Sequence, residues 1–65
     1  MKITYFHDTD TLFIELKSVE PAETREWDQN TYLDLDAKGN VCAITLEHAR
    51  ERADIPELVF EQVAA

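Results

Sequence analysis

One cysteine, one glycine, two prolines and one tryptophan are all that 65 residues contain of those types, and six Lys and Arg face fourteen Asp and Glu. Each shortage closes off a class. With Cys42 alone, no disulfide can form within the chain, and a lone cysteine suits a reducing cytoplasm better than secretion. A single glycine leaves no glycine-rich phosphate loop. No apolar run approaches the roughly 20 residues that a membrane-spanning helix needs. Met1 to Asp8 lacks the long apolar stretch and small-residue cleavage site of a signal peptide, and reads as a strand. The expectation is a soluble, cytoplasmic protein with no membrane partner.

The formal charge of −8 repels a phosphate backbone, and the basic residues Lys2, Lys17, Arg25, Lys38, Arg50 and Arg52 are scattered. Nucleic-acid binding is therefore not expected. The same acidity keeps a small protein in solution and would steer a basic protein partner toward it. A domain of this length buries only about 60% of its unfolded surface, so its own core is marginal. Without disulfide or metal as a staple, a homo-oligomer is the expected reinforcement.

Apolar periodicity is mainly that of strands. Ile3-Thr4-Tyr5-Phe6 alternates, and Leu12, Ile14 and Leu16 recur at period two. Between them His7-Asp8-Thr9-Asp10-Thr11 is rich in side chains that bond their own backbone and favour turns. The two runs predict a hairpin over 2–16. Residues 17–22 form a polar loop, in which Pro21 excludes a central strand. The pattern over 24–27 allows a short strand without demanding one. Leu33 and Leu35 share a face, and Val41 to Leu46 completes a second hairpin over 31–46. Gly39 is its corner, at positive φ in a three-residue loop with a bulge. The expected core is Leu12, Ile14, Leu16, Leu33, Leu35 and Ile44.

From residue 47 the pattern turns helical and stays so to 64. Glu47 to Ala53 consists largely of helix formers. Asp54 and Glu57 can form a capping box, with Pro56 in the first turn. Ile55, Leu58, Val59 and Val63 then fall at helical spacing. The predicted fold is a single α+β domain. It is a small, mostly antiparallel sheet from two β-hairpins, with the C-terminal helix 55–63 packed on one face.

Candidate chemistry is sparse. Asp34-x-Asp36-x-Lys38-Gly39 resembles the opening of a calcium loop, but Lys38 carries the wrong charge and Thr45 stands where a bidentate Glu belongs. Asp36 reads instead as the residue that accepts backbone N–H bonds and sets the turn. His7, Asp8 and Asp10 could approach Glu47 and His48, yet no spaced His or Cys pair accompanies them. Cys42 lies among apolar neighbours with no adjacent base, and reads as a small buried hydrophobe. No cofactor, metal or catalytic residue is therefore predicted. Trp27 is either a core residue, the favoured reading, or an exposed interface anchor. The candidate interface comprises Trp27, Ile55, Leu58, Val59 and Val63.

Two runs carry a resemblance. Tyr5 to Leu16 has an aromatic, an Asp and then Leu-Phe-Ile-x-Leu. Leu33 to Ala49 reads Leu-Asp-x-Asp-x-x-Gly-x-Val-x-x-Ile-x-Leu-x-x-Ala. In order and spacing the chain resembles the small prokaryotic domain-of-unknown-function family 2283. Thr45, where such sequences often carry Glu, and the bulky Trp27 depart from the pattern. The resemblance implies a compact β-rich domain with no established activity, of a kind that can accompany small toxin-like proteins. The functional expectation is a non-enzymatic protein-interaction module, antitoxin-like, with a self-assembling structural homo-oligomer as the alternative. A metal protein or enzyme is the least supported reading.

Calcium or zinc should accordingly leave the melting temperature unchanged in calorimetry, because a specific site would raise it by mass action. A reproducible rise with calcium, abolished by Asp36→Asn, would contradict this.

Overall fold

A computed structural model describes residues 1–53 and 60–64. The alternating runs become five strands: β1 Lys2–Phe6, β2 Thr11–Glu15, β3 Glu23–Asp28, β4 Thr31–Leu35 and β5 Val41–Glu47. One helical turn follows, α1 Ala49–Arg52. All pairings are antiparallel, in the spatial order β1-β2-β5-β4-β3. Successive strands β3, β4 and β5 are neighbours, and β2 returns beside β5, which makes a Greek key. The connection from β2 to β3 must therefore pass the ends of β5 and β4. Backbone bonds pin it there: Leu16 N donates to Cys42 O and Ala22 N to Leu35 O, each at 2.8 Å.

The β4–β5 turn is built as its residues dictate. Gly39 has φ +84°, and its N–H donates to Asp36 O at 3.0 Å. Asp36 Oδ1 accepts from the backbone of Lys38 and of Asn40, both at 2.9 Å. One carboxylate thus holds both sides of the loop. A register shift follows at once, between Asp34 and Leu35, and leaves Val41 and Cys42 to share the space opposite Leu35.

The strand register sorts side chains onto two faces, since directly paired residues point the same way. Ile3, Ile14, Ile44 and Leu33 form one row across the sheet, and Tyr5, Leu12, Leu46 and Thr31 the next. Cys42 and Leu35 continue this face. The opposite face carries Lys2, Glu15, Ala43, Asp34 and Thr24, then Thr4, Phe13, Thr45, Tyr32 and Glu26, then Phe6, Thr11 and Glu47. Over β1, β2, β4 and β5 the first face is therefore apolar, while Glu23, Arg25 and Asp28 of edge strand β3 stand at its border, and the acidic residues of β2, β4 and β5 all stand on the other face.

Several expectations change. Residues 23–28 form a full edge strand, every residue exposed, because main-chain bonds to β4 hold it without any apolar burial. Glu47 extends β5, and the helix is a single four-residue turn entered through His48 at φ 56°. The predicted helix 55–63 lies partly outside the described residues; 60–64 are neither helix nor strand, with Phe60 79% and Val63 72% exposed. No described helix covers the sheet. Leu16, expected in the core, is exposed because β2 ends at Glu15 and the chain turns away. Leu35 is buried, while Leu12, Ile14, Leu33 and Ile44 are only half-buried.

A side chain at position 39 would meet open space, so only the backbone conformation of Gly39 resists substitution. Gly39→Val should cost about 1–2 kcal/mol in urea unfolding, with Gly39→Asn costing less. A valine variant as stable as the parent would contradict the turn assignment.

Candidate interaction surface

Trp27, favoured for the core by its residue type, is 72% exposed, and the structure corrects that expectation. The cause is local. Pairing of β3 with β4 shifts register between Glu26 and Asp28, so Trp27 is the extra residue of a β-bulge on an edge strand. It remains a candidate interface residue, as does exposed Val63. Ile55, Leu58 and Val59 lie outside the described residues.

A larger feature escapes sequence reading because it depends on strand order. The apolar face gathers Ile3, Leu12, Ile14, Leu33, Ile44 and Leu46 from four strands. Among the described residues, the only buried hydrophobics are Leu35, Cys42, Ala43 and Ala49. Cys42 fills the interior as a small residue, with Sγ 3.3 Å from Asp34 O. The buried thiol is thus sequestered from solvent, as its apolar neighbours suggest.

At one end of this face the short helix is latched by a polar network. Asp10 takes the left-handed conformation, φ 54°, which Asp tolerates better than most residues. There its Oδ1 accepts the Tyr5 hydroxyl at 2.6 Å and the Arg50 backbone N–H at 3.0 Å. Its carbonyl accepts the Ala49 N–H at 2.9 Å, and the Arg50 guanidinium reaches the Tyr5 hydroxyl at 3.1 Å. Arg52 grips the other side, donating to Asn30 O and to Thr31 Oγ1, each at 2.8 Å. Asn30 O also accepts the Glu47 N–H. The helical turn therefore ties the β1–β2 loop to the β3–β4 turn, and Ala49 beneath it is fully buried.

Electrostatics follow these bonds. The Tyr5 hydroxyl, followed by the Arg50 amide and charge, holds the Asp10 carboxyl below its ordinary value. Asn30 N–H, then Thr31 and Arg52, do the same for Asp28. The Lys17 ammonium and the turn amides lower Asp36. Tyr5 and Asp10 raise Arg50 in turn. These carboxylates are occupied as structural acceptors. Among the described residues no group of three or more His, Cys, Asp or Glu is placed to hold a metal ion, and no described helix is long and apolar enough to cross a membrane.

Among the described residues, a single antiparallel sheet latched at one end by a helical turn defines the class: a small sheet protein. The family model described as "Protein of unknown function (DUF2283)" matches residues 2–50, and the chain belongs to that family. The match spans both resembling runs and ends within α1. No curated protein and no solved structure matches the chain significantly.

The lowered carboxyls give a signed pH dependence. A depressed folded pKa stabilises above the unfolded value and is lost as pH falls through the folded one. Tyr5→Phe removes the largest cause at Asp10. The gap in melting temperature between wild type and Tyr5→Phe should be widest above the ordinary aspartate value of 3.8 and narrow below it. A gap that stays constant from about pH 7 to about pH 2 would contradict the latch.

Proposed function

We propose that this domain is a non-enzymatic protein-interaction module that works through the apolar face of its sheet. The observation that carries the reading is the strand register, which gathers large aliphatic side chains on one face while no described helix or strand lies over it. Stable domains cover such a face with a second layer, and here its central aliphatic side chains are left half-buried and Ile3 exposed, as at an interaction site. The opposite face supports the antitoxin-like part of the reading. Glu15, Glu26, Asp34 and Glu47 share it with the one basic residue Lys2, so it adds to the long-range attraction that brings a small basic protein to the domain, which the apolar face then holds. Trp27 at the bulged edge extends the available surface.

The test is affinity capture with the full chain, comparing Ile3→Glu on the apolar face with Thr4→Glu on the opposite face. Wild type and Thr4→Glu should each retain a protein in stoichiometric amount, whether another copy or a foreign chain, and Ile3→Glu should lose it. A folded wild-type chain that retains nothing, its own copies included, contradicts the reading.

A further inference from the structure

We infer that the occupant of the apolar face is a second copy of this chain, packed face to face in a two-layer β-sandwich. The inference rests on the proposed interaction reading and adds the identity of the partner. Three observations carry it.

The first is area. The chain exposes 5299 Å², whereas a folded monomer of 7.5 kDa exposes about 4,200 Å². The excess, about 1,000 Å², is close to the roughly 800 Å² that each partner contributes to a standard interface. Exposed Phe60 and Val63 contribute to it along with the sheet.

The second is charge. The chain carries −8, so two copies attract only where that charge is absent. On β1, β2, β4 and β5 the apolar face carries no acidic residue; Glu15, Asp34 and Glu47 all point the other way. On the edge strand β3, which brings Glu23, Arg25 and Asp28 to this face, Glu23 pairs with Arg25 at 3.1 Å and Asp28 lies 3.8 Å from Arg52. A foreign partner selected by charge would be drawn to the acidic side. A neutral apolar surface is matched by its own copy, because a two-fold axis makes one patch self-complementary.

The third is the core. Ile14, Leu33, Ile44, Leu12 and Leu46 are only half-buried. Phe60 and Val63, at 79% and 72% exposure, are themselves largely in solvent. Two-fold packing converts these partly wetted side chains into the interior that a single sheet lacks.

Sedimentation equilibrium of the full chain from about 1 to about 100 μM, a range that brackets ordinary dimer affinities, tests the inference. Melting curves should be taken across the same range. The expected result is a dimer whose melting temperature rises with concentration. Ile3→Glu, at an exposed edge position of the face, should weaken the dimer at least tenfold, and Thr4→Glu should leave it unchanged. A dimer equally strong in both variants forms elsewhere and overturns the inference. If Ile3→Glu does not fold, amide exchange of the wild type decides. Protection of β2 and β5 that rises with concentration supports the inference, and protection independent of concentration overturns it. A cooperatively folded monomer throughout also overturns the second copy. If that monomer captures a foreign chain through the same face, the interaction reading stands; if it captures nothing, both fall.

Discussion

A sheet has two faces, and a single layer can dry neither by itself. That constraint governs this molecule. Five short antiparallel strands satisfy their backbone groups laterally, so the hydrogen-bonded ladder forms without help from a second layer. Side chains have no such lateral solution. With Leu35, Cys42, Ala43 and Ala49 as the described buried hydrophobics, lateral bonding and local turn chemistry give the sheet its shape. What they do not supply is an interior, and the apolar face is where one has to be added.

The ends of the sheet explain how a thin layer keeps one geometry. At one end Asp36 fixes the β4–β5 turn, and its ion pair with Lys17, at 2.6 Å, ties that turn to the start of the crossover connection. Solvent screens this exposed pair, so its value lies in geometry more than in energy. At the other end Asp10, Arg50 and Arg52 bind two loops to one helical turn. Each end thus uses a carboxylate with several donors in place of packed apolar contacts. The edge strands complete the logic. β3 presents Glu23, Arg25, Glu26 and Asp28 with a bulge, features that discourage open-ended strand addition. In the proposed dimer, association is thereby directed to the face and away from the edge.

Legibility in the sequence follows the range of the forces. The β4–β5 turn can be read because Asp36 and Gly39 act within a few residues, and the alternating runs because strand periodicity is local. β3 is barely visible: Thr24-Arg25-Glu26-Trp27 has no apolar alternation, and only pairing to β4 makes it a strand. The residue type of Trp27 points to the core, and the bulge overrides it. The latch leaves no local trace, since Arg50 meets Asp10 and Tyr5 across 40 and 45 residues of chain. Helix formers from Glu47 onward give way to tertiary pairing, as β5 claims Glu47 and His48 supplies the left-handed step into α1. The apolar face needs the strand order as well as the alternation, because β2 lies next to β5 rather than β3.

The central claim, that the apolar face is an interior shared between two copies, is tested most directly by isotope-filtered NMR on a mixture of labelled and unlabelled chains. Ile14 and Ile44 neighbour each other in the middle of that face. The account predicts intermolecular contacts from their methyl groups, and from those of Ile3, to the Leu12, Leu33 and Leu46 side chains of the other copy. Methyl contacts confined to the same chain, in a sample concentrated enough to populate any dimer, would contradict it.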